Sequence, residues 1–136
     1  MRAPLPPLLL LVLLAGCAAP ASQTPATTAP TASNAQTLTG NWTLAAHGAN
    51  ELNFNMPAGG KMSYELNASA PVDWDVHSHP ANEVKEWATG SKARHANGSF
   101  EAPTADVYSV YVSATGSTTR VLVQVTGDVT EWVRPT

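Results

Sequence analysis

The sequence contains a single cysteine, Cys17, among its 136 residues. One cysteine cannot form a disulfide within the chain, so burial of apolar side chains has to hold the folded part together. Charged residues are also scarce, at 12% of the composition, and ten acidic side chains outnumber seven basic ones. An acidic chain gains nothing from counterion release on nucleic acid and has no polybasic patch for anionic lipids. We therefore expect no nucleic-acid partner.

Sequence patterns that carry familiar catalytic chemistry are missing as well. There is no Gly-x-Ser-x-Gly elbow, no His-Glu-x-x-His motif and no glycine-rich phosphate loop. Asp73 and Asp75 have the spacing of a glycosidase pair, whose carboxyl groups lie about 5–9.5 Å apart. Neighbours on one strand stand side by side, however, and do not flank a cleft. The sequence thus predicts a protein that is not an enzyme.

The N-terminal residues have the parts of a secretory signal. Arg2 precedes the apolar run 8–14, and small residues follow it. The run is too short to cross a bilayer, which takes about 20 apolar residues. The stretch Leu14-Ala15-Gly16-Cys17 resembles the lipobox of bacterial lipoproteins. This resemblance implies that a signal peptide, residues 1–16, is removed and that Cys17 is lipidated, anchoring the chain to a membrane of the bacterial envelope.

The residues after Cys17 predict a tether followed by one domain. Ala18 is not the Asp that typically retains lipoproteins in an inner membrane, so the resemblance favours the outer membrane in a cell with two membranes. Residues 17–37 are rich in Ala, Thr and Pro, carry no charge, and predict a disordered tether. Residues 38–136 predict the folded domain. The chain without its signal has six basic and ten acidic residues, a formal charge of −4.

Apolar residues alternate with polar ones through most of the predicted domain, which indicates strands with one buried face. Residues 107–112 and 121–125 are nearly continuous β-branched or aromatic runs, typical of central strands covered on both sides. Pro57-Ala58-Gly59-Gly60 and Asn97-Gly98 predict turns, and residues 83–87 fit a strand better than a helical turn. About seven or eight short strands predict an all-β fold, a small antiparallel β-sandwich.

Several large side chains are expected to supply the core. Each tryptophan would bury about 150–250 Å² inside the sandwich. Met56 and Met62 belong to alternating apolar strands, so we expect them in the core and not on a copper ion. Of the four tryptophans, Trp87 is the one least obviously internal, because Lys85 and Glu86 precede it.

One polar segment has metal-binding chemistry. Asp73, Asp75, His77 and His79 are spaced two apart, so on a strand they form one stripe. Imidazole and carboxylate together suit Zn²⁺, Cu²⁺ or Ni²⁺. Parallel i, i+2 ligands converge on one ion only at a bulge or with a partner strand, and a distant histidine, His47 or His95, is a candidate partner. The alternative interpretation is a solvated strand face without a ligand.

The order of parts in residues 58–126 resembles the Golgi-dynamics domain, the β-sandwich of luminal cargo receptors. A glycine turn at Gly59-Gly60 precedes a strand and then a polar-faced strand that ends at Pro80. Next come Gly98-Ser99-Phe100-Glu101-Ala102 and Asp106-Val107-Tyr108-Ser109-Val110. The resemblance implies a β-sandwich with a role in protein interaction, and it supplies no catalytic residue.

Three functions follow from these observations. The leading prediction is a lipid-anchored envelope protein whose β-sandwich is a non-enzymatic interaction module for a protein partner. The second is a metal-binding module that uses the stripe Asp73, Asp75, His77 and His79 for a divalent ion such as Zn²⁺ or Cu²⁺. The third is a glycan-binding module in which an exposed tryptophan, Trp87, stacks on a sugar.

Overall fold

The computed structural model describes residues 35–133, so the predicted signal, Cys17 and nearly all of the predicted tether lie outside the described residues. Within this range the chain forms seven strands and a short 3-10 turn, Pro80–Asn82. All strand pairings are antiparallel, which confirms the predicted all-β sandwich. The strands are β1 (Gln36–Leu44), β2 (Ala49–Met56), β3 (Lys61–Ser78), β4 (Lys85–Glu101), β5 (Asp106–Ala114), β6 (Thr119–Gly127) and β7 (Thr130–Glu131).

The long strand β3 belongs to both layers of the sandwich. Its first half pairs with β6 through Met62–Ala68, and its second half pairs with β5 through Val72–Ser78. Strand β4 follows the other edge of β3 along both halves. One layer therefore has the order β1-β6-β3-β4, and the other has the order β4-β3-β5-β2-β7.

A sharp bend in β3 joins the two layers. The rings of Tyr64 and Trp74 have centroids 5.5 Å apart, although ten residues of a straight strand span about 33 Å. The register between β3 and β4 shifts between Asn67 and Val72 and again between Val72 and Trp74. Bulges of this kind bend a strand and increase its twist. The bend places the inner side chains of both halves of β3 in one core.

The core lies between the layers and is built from alternate residues of each strand. Val110 and Val112 of β5 meet Val121, Val123 and Val125 of β6, all with at most 1% exposure.

Of the two runs predicted to be covered on both sides, one is and the other is not. Strand β5 is buried on both faces around its middle. In β6 the buried residues alternate with exposed ones, so that prediction is wrong for residues 121–125.

The two predicted turns also differ. Gly60 N donates to Pro57 O over 3.0 Å, and Gly59 has a φ of 74°, so the turn at residues 57–60 is confirmed. Asn97 and Gly98 lie within β4, opposite Glu65 and Tyr64, so the hairpin predicted there is wrong. A Cβ atom on Gly98 would lie 2.5 Å from Tyr64 Oη. Glycine is present at this position because the tyrosine side chain covers it.

Strand β1 begins at Gln36, two residues before the predicted domain start. Met56 and Met62 are core residues, as predicted, with 2% and 3% exposure. The tryptophans are half-buried and not fully internal. No helix within residues 35–133 is long and apolar enough to span a membrane.

Candidate functional site

The structure divides the predicted metal stripe into two parts. Asp75 and His79 each contact His77 at the end of β3. Asp73 is separate, because its Oδ1 accepts a hydrogen bond of 2.9 Å from the backbone N of Lys92 on β4. Lys92 has a φ of 50°, in the left-handed region that residues other than glycine rarely adopt. Asp73 thus holds an irregular point of the β3–β4 pairing.

The imidazole of His77 is held in one orientation by Asp75. His77 Nδ1 lies 2.5 Å from Asp75 Oδ1. An ionised carboxylate only accepts hydrogen bonds, so Nδ1 is the donor. In the neutral ring Nε2 then has a lone pair free to accept a hydrogen bond or to bind a metal ion. This carboxylate–histidine pair is the arrangement that orients histidine ligands in metalloproteins.

His79 brings a second imidazole nitrogen to the same point. Its Nε2 lies 3.1 Å from His77 Nε2, and the two rings are nearly perpendicular, at 88° with centroids 4.8 Å apart. The end of the strand lets these i, i+2 side chains converge, because β3 ends at Ser78 and His79 is no longer held in its pleat. The register shift between Val76 and His77 adds its extra residue, Trp87, to β4. The pairing of β3 with β5 stays regular through Ser78, so the convergence does not come from a bulge in β3 itself.

A fourth member of the cluster comes from β2. Tyr111 of β5 pairs with Asp75 of β3 on one side and with Glu51 of β2 on the other. All three residues therefore lie in one row on the outer face of this layer. Glu51 Oε2 lies 3.9 Å from His77 Nε2. We call Glu51, Asp75, His77 and His79 the histidine site.

The next row of the same face supports Glu51. His77 of β3, Ser109 of β5 and Asn53 of β2 are paired across the layer. Ser109 Oγ donates to Asn53 Oδ1 over 2.5 Å, and Asn53 Nδ2 donates to Glu51 Oε1 over 3.0 Å. Oε1 is therefore engaged within β2, and Oε2 is the oxygen that approaches His77. The chain of hydrogen bonds fixes the side of the carboxylate that faces the site.

Burial distinguishes the members of the site. His77 is only 6% exposed, although it lies on the outer face, because neighbouring side chains cover it. Tyr111 contributes a ring whose centroid is 6.5 Å from that of His77. His79 is exposed. In residues 35–133 every buried side-chain nitrogen or oxygen has a hydrogen-bond partner, so the buried polar atoms here are satisfied within the chain.

Sequence reasoning missed Glu51. No local spacing links residue 51 to residues 75–79, because their proximity depends on β5 lying between β2 and β3. The available signal was the alternation of β2, which places Glu51 on a polar face. The strand order that brings this face beside β3 is visible only in the structure.

The two distant histidines have other positions. His95 lies on β4 opposite Asn67, and its Nδ1 is 2.6 Å from Asn67 Oδ1. His47 lies in the turn after β1 with a φ of 61°. Neither makes a hydrogen bond or ion pair to the histidine site, so the described structure does not identify a distant histidine as the partner.

Trp87, the candidate for glycan stacking, is part of the sandwich. Its Nε1 donates to Ser78 Oγ over 3.1 Å, and its ring packs against Phe100 with centroids 5.3 Å apart. Lys85 Nζ lies 4.1 Å from the centre of the same ring. These contacts give Trp87 a structural role at the end of the core.

The histidine site has two metal-donor atoms already close together. Two ligand atoms on a tetrahedral zinc ion, each about 2.0–2.1 Å from it, lie about 3.3 Å apart. The 3.1 Å between the Nε2 atoms is close to that value. Among the described side chains no group of three or more His, Cys, Asp or Glu is arranged to hold a metal ion. The site thus presents a pair of donors and not a completed cage.

Comparisons with known sequences identify no family. A scan against protein-family models finds no match. A search of curated proteins also finds no match.

A search of solved structures finds chains that are similar to this one at low sequence identity. The periplasmic inhibitor of g-type lysozyme from Aeromonas hydrophila, PliG, is 14% identical with a TM-score of 0.49, over 73% of this chain and 89% of that one. The Yersinia pseudotuberculosis-derived mitogen is 13% identical with a TM-score of 0.47, over 76% and 99%. PirA is 13% identical with a TM-score of 0.46, over 65% and 92%.

Proposed function

We propose that this chain is an exported, lipid-anchored protein of the bacterial envelope, and that its β-sandwich binds a divalent transition-metal ion at the histidine site. The observation that carries the metal binding is the pair of Nε2 atoms 3.1 Å apart, with Asp75 holding the other nitrogen of His77. Imidazole nitrogen suits Zn²⁺, Cu²⁺ and Ni²⁺. The role is binding, because no nucleophile–base pair accompanies the cluster among the described side chains.

Metal binding accounts for the site better than a solvated strand face does. A polar strand face leaves its side chains in water, whereas His77 is buried and held by Asp75. Burial of an imidazole costs free energy unless its nitrogens have partners, and the partners of His77 are Asp75 and His79. A metal ion uses the buried, oriented nitrogen directly. The nitrogen of His79 supplies a second bond from the exposed side.

The metal-binding test uses the full chain purified in detergent, with Zn²⁺ or Cu²⁺ alone as the probe. Native mass spectrometry and calorimetry should give one ion per chain. His79→Gln removes the exposed ligand without disturbing the core, so we expect at least a tenfold loss of affinity. His95→Gln is the matched control, since it removes an exposed histidine of another strand and should bind as the wild type does.

Two outcomes contradict the metal proposal. One is a wild-type chain that binds no ion at micromolar metal. The other is an affinity of His79→Gln equal to that of wild type, which assigns the binding to histidines outside the site. Circular dichroism of both variants checks that the sandwich has formed.

The anchoring part of the proposal rests on the lipobox-like stretch that ends at Cys17 and is tested separately. Cells that express wild type or Cys17→Ser are labelled with a palmitate analogue and fractionated. We expect the label and the membrane association in wild type only. If Cys17→Ser takes the same label and stays with membranes, this residue is not the anchor.

A further inference from the structure

We infer, building on the metal binding proposed above, that Glu51 of β2 is the third protein ligand of the ion, and that the completed site keeps a coordination position open to a ligand from outside the chain. The protein ligands are then two imidazoles from the end of β3 and one carboxylate from β2. Asp75 is a positioning residue, because it touches His77 and not the ion.

The register of the layer places Glu51 for this role. Tyr111 pairs with both Glu51 and Asp75, so the carboxylate and the histidine site share one face across three strands. Glu51 Oε2 is 3.9 Å from His77 Nε2. Two donors on a shared ion lie about 3.3 Å apart. A shift of about 0.6 Å toward His77 would therefore bring Oε2 to the distance from its Nε2 that two ligands of one ion have.

The two carboxylate oxygens of Glu51 have different surroundings. Oε1 accepts a hydrogen bond from Asn53, which Ser109 in turn holds. Oε2 faces His77 and belongs to a side chain that is 42% exposed. This arrangement favours one-oxygen coordination, with the hydrogen-bonded oxygen orienting the carboxylate, as outer partners orient ligands in other metal sites.

The two carboxylates nearest in sequence to His77 and His79 have other hydrogen-bond partners. Asp75 is bonded to Nδ1 of His77, and Asp73 accepts from the backbone of Lys92. Three protein ligands leave a fourth tetrahedral position for water or an external ligand. Two histidines and one carboxylate with open positions are also a known arrangement for other transition metals. His79 and Glu51 lie at the exposed side of the site, so an external ligand can reach the ion there.

The experiment uses Co²⁺ as the only added metal, because its visible spectrum reports ligand number and type. In the full chain, Glu51→Gln should weaken Co²⁺ binding at least about tenfold, since even outer partners of a metal site are worth 10–100-fold. The spectrum at saturating Co²⁺ should also change. Azide added to the wild-type complex should shift the spectrum by occupying the open position.

The chain offers a closely matched control. Glu65 Oε1 accepts from Asn67 Nδ2 over 2.9 Å, which repeats the contact between Glu51 and Asn53 on a different part of the sandwich. Glu65→Gln therefore removes the same charge and weakens the same local contact. It should leave the Co²⁺ affinity and spectrum as in wild type.

The outcomes separate this inference from the proposal on which it depends. If wild type binds Co²⁺ and Glu51→Gln has the same affinity and spectrum, Glu51 is not a ligand, and metal binding by the two histidines still stands. If azide leaves the wild-type spectrum unchanged, the site is closed and the open position is refuted. If wild type binds no metal at all, the proposed function fails together with the third ligand.

Discussion

Two aspartates that are two residues apart on β3 have different partners. Asp75 is bonded to a histidine side chain, and Asp73 to the backbone of the neighbouring strand. The sequence places both on one face, and only the partners distinguish a residue that serves the site from one that serves the fold. Asp73, which was predicted as a possible metal ligand, is structural in this respect.

Replacing Asp73 should therefore affect stability and not metal binding. Asp73→Ala removes the acceptor for Lys92 N, and we expect the free energy of unfolding to fall by about 1 kcal/mol. Asp73→Asn keeps an oxygen at this position and should recover most of the loss. Urea denaturation measures the first effect, and calorimetry with Zn²⁺ checks that the affinity is unchanged. A tenfold weaker affinity in Asp73→Asn would return this residue to the site.

The ionisation of Tyr64 should lower the stability of the fold at high pH. Burial raises the pKa of its phenol above the usual 10.0, because the charged phenolate is disfavoured away from water. The unfolded chain therefore loses this proton at a lower pH than the folded chain does. The contribution of Tyr64 to the free energy of unfolding is therefore fully present below about pH 10. It decreases as the pH rises toward the pKa of the folded state.

Tyr64→Phe should remove that decrease. The midpoint of urea unfolding, measured from about pH 8 to pH 11, should fall less steeply in the variant than in wild type. Equal slopes for the two proteins would mean that the phenol of Tyr64 ionises alike in both states.

At the scale of elements, β3 and β4 show what alternation can and cannot predict. Alternating residues correctly identified the buried face of β3 around Met62 and Val76. They did not reveal the bend between the halves, which depends on bulges in the pairing with β4. Asn97-Gly98 has the composition of a tight turn, yet it lies in a strand, because its glycine makes room for a ring.

The same limit applies to the histidine site. His77 and His79 could be predicted as a pair, since both lie within one short segment. Glu51 could not, because it reaches them only through the strand order β3-β5-β2. Local pattern identifies residue types and faces, and non-local pairing decides which faces meet.

Gly90 is, like Gly98, a glycine of β4 that is covered by an aromatic ring, and its replacement should destabilise the sandwich. Gly90 lies opposite Trp74, and a Cβ atom on it would be 2.7 Å from Trp74 Cε2. Gly90→Ala should destabilise the sandwich by about 1–3 kcal/mol, because the indole has to move. Gly116→Ala is the control, since no atom lies within 4 Å of its added Cβ, and it should stay within about 0.5 kcal/mol of wild type. If the two alanine variants unfold alike in urea, the contact with Trp74 does not constrain β4.

For the whole molecule, a bound metal should link β2 to β3 across β5 and stabilise the fold. At a metal concentration about 100 times Kd, binding to the native state contributes about 2.7 kcal/mol. For a domain of this size, that corresponds to a rise in Tm on the order of 10 °C. Differential scanning calorimetry with Zn²⁺ and then with a chelator should show the rise and its reversal. His95→Gln should keep the rise, and His79→Gln should lose it; an equal rise in both would place the ion elsewhere.

The pairing of the first strand has a consequence for the order of folding. Gln36 pairs with Gly127 and Leu44 with Thr119, so β1 has its only hydrogen-bonded neighbour, within residues 35–133, in a strand that comes near the end of the chain. Domains dominated by pairings between residues so far apart fold slowly, on the scale of milliseconds to seconds. A growing or emerging chain can assemble the β3–β4 hairpin early, while β1 waits with an unpaired edge. Strand β1 therefore cannot complete its pairing until residues 119–127 are available.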